Sequence, residues 1–176
     1  LIGILSELMG EPAVLFKEKI NFKLPGGNGF LPHQDAPAFN SFDQTYHITM
    51  MVSIDSCNME NGCLEMVPGH HRQGILPTAA DATIDPDIAE ALTWKLLPSE
   101  IGDIVFFDSY IPHRSGPNRS DQPRRALYVT YNRASEGSYR EKYYRCKRDV
   151  FPPDIERDPK KDYQDSGLFN VGNPIK

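Results

Sequence analysis

The sequence predicts an all-β, barrel-like core of two sheets, a double-sheet jelly roll, with helices only at its flanks. Two observations carry this expectation. Short segments with two-residue alternation recur along the chain, each closed by Gly, Pro, Asn or Asp. The 15 prolines and 13 glycines supply the many turns that such a core needs. At 176 residues, 39% hydrophobic and 24% charged, the chain is long enough for one domain with a real hydrophobic core.

The elements follow in order. A first helix, with Ile2, Leu5, Leu8 and Met9 on its apolar face, is expected to stop at Gly10, ahead of Pro12. The chain starts at Leu1, already inside this pattern, so a further N-terminal portion is expected to belong to the protein. From Val14 the period becomes two. Phe16, Glu18, Ile20, Phe22 and Leu24 form one row and Lys17, Lys19, Asn21 and Lys23 the other, up to the turn Pro25-Gly-Gly-Asn-Gly29. A short extended segment from Leu31 to Phe39 carries His33 and Asp35. Tyr46 to Asp55 alternates again, with His47, Thr49, Met51 and Ser53 opposite Ile48, Met50, Val52 and Ile54.

Asn61-Gly62 turns into a strand over Cys63 to Val67, which Pro68-Gly69 closes. Asp85-Pro86-Asp87 suits the start of a short helix over Ile88, Ala91 and Leu92, because Asp caps and Pro is tolerated in the first turn. Ile104 to Asp108 and Ala126 to Asn132 read as strands. Ser138-Tyr-Arg-Glu141 reads as a capping box that opens a helix through about Arg148. The core thus spans about 14–132. Residues 133–176 hold this helix and an irregular tail with Pro152-Pro153, Pro159 and Pro174 that lies over the domain.

Composition excludes several function classes. A net charge of −5 argues against a nucleic-acid or anionic-membrane partner. No apolar run approaches the roughly 20 residues that a membrane helix requires. Cys57, Cys63 and Cys146 are odd in number and lack CxxC spacing, so free thiols in a reducing, cytoplasmic compartment are expected.

Chemistry concentrates in His33-x-Asp35 and the distant His113. Residues i and i+2 of an extended segment share a face, so one strand end presents His33 and Asp35 to a single point. A third ligand from another strand completes two imidazoles and one carboxylate, with three adjacent positions open, which is the Fe(II) oxygenase arrangement. A structural zinc site would be closed and tetrahedral, usually with cysteines. His-x-Asp alone arises often by chance, and a surface histidine beside an aspartate is the ordinary explanation. Its context raises it. His113 follows the strong strand Gly102-Asp-Ile-Val-Phe-Phe-Asp108, Ser115 lies two residues on, and Arg124 or Arg125 stands at the entry to the next strand. An Fe(II) oxygenase needs electrons for O₂, which 2-oxoglutarate supplies through oxidative decarboxylation. The far carboxylate of 2-oxoglutarate needs a fixed cation, a task suited to arginine.

The segments Leu31-Pro-His-Gln-Asp-Ala36, Asn61-Gly-Cys-Leu-Glu-Met-Val-Pro-Gly-His-His71, Gly102 to Asp108, His113-Arg-Ser-Gly-Pro-Asn-Arg-Ser120 and Pro123-Arg124 together resemble the phytanoyl-CoA dioxygenase family, in its order and spacing. The resemblance implies a double-stranded β-helix core with iron on His33, Asp35 and His113. It implies Arg124, rather than Arg125, as the partner of the 2-oxoglutarate far carboxylate, with Ser115 assisting. Because halogenating members replace the iron carboxylate by a small residue, Asp35 implies hydroxylation. The tail Phe151-Pro-Pro-Asp-Ile-Glu-Arg157 and the stretch Tyr131 to Ser138 are similar to members acting on small aminoalkyl phosphonates, so the expected partners are O₂ and a small anionic molecule.

Other residues are weighed against ordinary roles. Gln34, between two ligands, is a candidate for hydrogen bonding to the cosubstrate or a ligand carboxylate, and Met51 for packing on the cosubstrate. His47, Thr49, Asn21 and Asn132 are candidate substrate contacts, with a satisfied core histidine the equal alternative for His47. Tyr128 and Thr130 share the face of Asn132. His70 and His71 are read as a structural turn. The row Lys17, Lys19, Asn21 and Lys23 is read by default as solvated, with reach to an anionic substrate or cosubstrate as the alternative. Two other readings remain open: a cupin-like metalloenzyme that does not use 2-oxoglutarate, and a jelly-roll binding module without catalysis.

Overall fold

The computed structural model describes residues 1–161 together with Tyr163, Phe169 and Val171. Two four-stranded antiparallel sheets face each other. One has the order β1-β8-β3-β6, from Ala13–Lys23, Arg124–Arg133, His47–Ser53 and Ile104–Asp108. The other has the order β2-β7-β4-β5, from Phe30–His33, His113–Ser115, Leu64–Met66 and Lys95–Leu97. This is the jelly roll expected from the alternation, and the three-residue strands β5 and β7 are too short to have announced themselves by periodicity.

The helices lie outside the sandwich. Helix α1, Ile2–Met9, ends at Gly10 in the left-handed region, φ 75°, and buries Leu5 and Met9 against Ile48. Helix α2 is Ala36–Asn40, and α3, Pro86–Ala91, is capped by Asp85, whose carboxylate accepts from the backbone N–H of Asp87 and Ile88. Helix α4, Arg140–Val150, places Tyr143 on Phe16 and Phe42. The expected capping box does not form. The chain enters α4 from a 3₁₀ turn over Ala134–Glu136 through Gly137 at φ 87°, and Tyr139 is the cap residue without a side-chain cap bond. Of the expected tail, Phe169 stacks edge-on against Tyr143 at 5.5 Å, and Pro174 lies outside the described residues. Cys57, Cys63 and Cys146 are free thiols. Among the described residues no helix is long and apolar enough to cross a membrane.

One strand departs from its sequence reading in a way that shapes the site. The β1–β8 register slips between Leu15 and Lys17, so Phe16 is the extra residue of a β-bulge. The bulge releases Phe16 from the row Glu18, Ile20 and Phe22, and Phe16 buries fully among Phe39, Phe42 and Tyr143. Beyond the bulge the polar row faces inward, with Lys17, Lys19 and Asn21 lining the cavity between the sheets and Lys23 buried. Ile20 and Phe22 are 47% and 64% exposed. The default reading of a solvated lysine face is therefore corrected.

Candidate active site

His33 closes β2 and His113 opens β7, and the two are direct cross-strand partners. Their rings lie 4.2 Å apart between centroids. Each ring is held by the carbonyl two residues back: His33 Nδ1 donates to Leu31 O at 2.7 Å and His113 Nδ1 to Ile111 O at 3.0 Å. Carbonyls only accept, so both Nδ1 atoms carry the proton and both Nε2 atoms keep a lone pair for a metal. Asp35 reaches the same point by a route that differs from the expected extended strand. The chain turns into the helical region at Asp35, φ −79° and ψ −25°, as the cap residue of α2. Its carboxylate makes no capping bond, and it stands 4.0 Å from His33 Nε2. The ligand atoms of His33, Asp35 and His113 all lie within 4.8 Å of one another.

Electrostatics keep the donors in ligand form. Burial and the neighbouring His113 push the His33 pKa down to about 3. Burial alone would raise Asp35, but the charge of Lys17 and the adjacent histidines outweigh it and hold the carboxyl below the usual range.

The cavity continues from these ligands past Ser115, Tyr128 and Thr130 to Arg124. Arg124 begins β8 and is 3% exposed; its Nη2 donates to Gly62 O at 2.6 Å, while its buried Nε has no partner. Arg125 points the other way and grips Asp55 with two 2.8 Å bonds. Lys23 is the cross-strand partner of Arg124, and its Nζ donates to Ser115 Oγ at 2.8 Å, Gly116 O at 2.5 Å and Gly62 O at 3.1 Å. Burial, and then Arg124, lower the Lys23 pKa to about 7. Two buried cations thus share one end of the cavity, with only neutral acceptors among their hydrogen-bond partners. Ser115 Oγ already accepts from Lys23 Nζ and from the Phe30 N–H at 3.3 Å, which leaves its own proton to donate. The approach here is tight: a Cβ on Gly62 would lie 2.2 Å from Gly116 O, and Gly62 has φ 73°.

Several expected contacts lie elsewhere. Thr49 and Asn21 line the cavity, and Thr49 and Thr130 share a 2.9 Å hydroxyl bond. His47 does not reach it. Its ring is fully buried between Phe16 and Phe39, Nε2 pairs with Gln44 Oε1 at 3.1 Å, and burial followed by the charge of Lys17 lowers its pKa to about 3. Asn132 is also fully buried and donates to Gly137 O and Arg133 O, beyond the cavity end of β8. Met51 packs in a core cluster with Leu64, Met66 and Phe107. Gln34 turns away from the cavity and ties down a neighbouring loop: Nε2 donates to Tyr110 O and Gly74 O, and Oε1 accepts from Leu76 N. His70 and His71 form a 3₁₀ turn after Gly69. Sequence reasoning missed Arg114, which lines the cavity while paired with Glu65 at 2.8 Å and stacked on Trp94. A cavity-facing arginine inside a three-residue strand left no pattern to find.

Comparison with known proteins agrees with this geometry. The family model described as phytanoyl-CoA dioxygenase (PhyH) matches residues 3–126. The 2-aminoethylphosphonate dioxygenase of Uncultured bacterium HF130_AEPn_1 is 56% identical over 175 residues, covering 99% of this chain and 67% of that protein. The methylphosphonate hydroxylase of Gimesia maris is 49% identical over 144 residues, covering 82% of this chain and 55% of that protein. Among solved structures, EvdO2 from Micromonospora carbonacea var. aurantiaca complexed with 2-oxoglutarate aligns with a TM-score of 0.64 and 26% identity, covering 73% of this chain and 56% of that one. EctD from S. alaskensis with 2-oxoglutarate and 5-hydroxyectoine aligns at 0.69 and 23% identity, over 77% of this chain and 50% of that one, a likeness of fold. The chain spans 67% and 55% of the length of the two phosphonate-oxidising relatives. With a family model covering most of its length and a relative this similar along nearly all of it, the chain belongs to the phytanoyl-CoA dioxygenase (PhyH) family.

Proposed function

We propose that this chain is an Fe(II)- and 2-oxoglutarate-dependent oxygenase that hydroxylates a C–H bond of a small phosphonate. One observation carries the reading: the His33, Asp35 and His113 donor set and the buried cation Arg124 line the same cavity. The donor set fits iron, with two neutral imidazole lone pairs and one carboxylate on one side. The far end fits a carboxylate, because the buried Nε of Arg124 has no partner. Bound iron and 2-oxoglutarate would supply the activation of O₂ that no side chain provides.

The chain's own residues hold, orient and exclude. Leu31 and Ile111 carbonyls fix the two rings, while Arg124 would hold the far carboxylate of a bound cosubstrate and Ser115 would donate its remaining proton there. Phe107, Leu64 and Phe30 give the cavity apolar walls that keep water from the reacting atoms. The proposed setting is a reducing, cytoplasmic compartment, a reading supported by the three free thiols, and the proposed partners are a small-molecule substrate and O₂. The phosphonate assignment draws on the names of the two relatives and on the lysines of β1.

Anaerobic titration of the Fe(II)-loaded protein with 2-oxoglutarate is expected to raise a weak visible charge-transfer band. A folded, iron-loaded protein that shows no band sinks the reading in favour of a cupin-like enzyme. Unchanged ligand binding after chelation would favour a binding module instead. In the same titration Lys23→Met is expected to weaken 2-oxoglutarate by about tenfold, since a buried cation and the bond that orients Ser115 are lost together. The loss should shrink in a Ser115→Ala background, where Lys23 has nothing left to orient, and an undiminished loss there would show that Lys23 does not act through Ser115.

A further inference from the structure

Once iron meets Asp35 and the far carboxylate meets Arg124, two cations lining the cavity remain unaccounted for. Lys17 and Lys19 lie on the inward row of β1, at the outer part of the same cavity. Neither makes an ion pair with a carboxylate within 4 Å among the described residues. What holds them is aromatic. Lys17 Nζ stands 4.3 Å from the Phe39 ring centroid and 5.7 Å from that of Tyr143. Lys19 Nζ stands 5.5 Å from Tyr128 and 5.7 Å from Phe30. A ring face steadies an ammonium without neutralising it and accepts no ordinary hydrogen bond, so the N–H groups stay available.

A third cation, Lys147 of α4, is close enough for its charge to act on both. Among the described residues, the only carboxylate lining the cavity is Asp35, of the candidate metal donor set. Keeping Lys17 charged in this half-buried place beside the metal donors is costly unless a guest supplies the opposite charge, whereas Lys19 reaches solvent. Arg114, the remaining cavity cation, is already paired with Glu65. Asn21 adds a neutral amide on the same row.

We propose that Lys17 and Lys19, with Lys147 behind them, form the subsite that receives the phosphonate headgroup of the substrate. The proposal rests on the oxygenase reading above and assigns residues to its substrate end. A phosphonate suits this place better than a carboxylate. Like a phosphate monoester near neutral pH, it carries between about one and two negative charges on three acceptor oxygens, enough for two ammonium groups at once. A carboxylate brings one charge and two oxygens. Anchoring the headgroup at Lys17, whose charge already acts on Asp35, would keep the rest of a small substrate close to the metal.

The test is calorimetric titration of the Fe(II)- and 2-oxoglutarate-loaded protein with methylphosphonate, under argon, and with acetate as the competing class. Wild type is expected to bind methylphosphonate at least about tenfold more tightly than acetate. Lys17→Met is expected to lose about tenfold or more, and Lys17→Arg to recover most of it, because the charge returns. Lys19→Met, at an exposed position where folding is not at stake, is expected to lose about threefold to tenfold. Equal binding of acetate and methylphosphonate, or unchanged methylphosphonate affinity in both methionine variants, overturns the proposal. Failure of the oxygenase reading looks different, as a missing charge-transfer band. Methylphosphonate is then titrated into the metal-free protein, where the same loss in both methionine variants upholds the subsite and unchanged affinity overturns it.

Discussion

Asp35→Ala is expected to abolish turnover and to weaken Fe(II) binding by more than about 100-fold, the upper end of what removing a mere supporting contact costs a metal site. The physical reason is specific to this cavity. Asp35 is the one anion among the three donors, and the cations Lys17 and Lys19 face the same space. Removing the carboxylate leaves two neutral imidazoles to hold a dication beside those lysines. The fold should tolerate the change, because the Asp35 side chain makes no capping bond to α2. Iron retention after gel filtration and the thermal midpoint separate the two effects. Unchanged Fe(II) affinity in the variant would show that Asp35 contributes nothing to holding the metal.

Arg124→Met should act on the other end of the cavity. A buried guanidinium that meets a carboxylate contributes about 3 kcal/mol, so 2-oxoglutarate affinity should fall roughly 100-fold while Fe(II) binding is kept. Arg124→Lys should rescue poorly, since an ammonium lacks the planar fork. Arg125→Met is the informative control. Arg125 is spent on Asp55 at the outer surface, so 2-oxoglutarate affinity should move by less than about twofold. Equal losses in the two variants would contradict the assignment of the inward arginine.

The grouping of His33, Asp35 and His113 was legible in the sequence because its signal is chemical: donor types at fixed offsets, one after a strong strand. The choice between Arg124 and Arg125 needed the family resemblance, since alternation says that neighbours diverge but not which one points inward. The same gap explains the misplaced lysine row. In most antiparallel sheets the apolar row faces in, and Ile20 and Phe22 looked like that row. Here the interior beside β1 is a cavity lined by polar and charged side chains, so the usual polarity is inverted. The bulge at Phe16 was also invisible, because a bulge is a property of two strands and β8 lies more than a hundred residues away. His47 and Asn132 failed as substrate contacts for a simpler reason. They share a face with cavity residues, but they sit beyond the cavity end, where the sheets close on aromatic side chains.

Lys23 has a last consequence. It starts on one sheet and bonds Ser115 and Gly116 on the other, so it clasps the sandwich shut at the Arg124 end. The chamber is therefore closed by Lys23 at its Arg124 end, while Lys19, on the same row of β1, is exposed. Whatever occupies the deep end has to arrive first and leave last. With the Lys17 and Lys19 subsite proposed above on the solvent side of that end, a phosphonate lodged there would bar the cosubstrate, so excess phosphonate is expected to slow turnover.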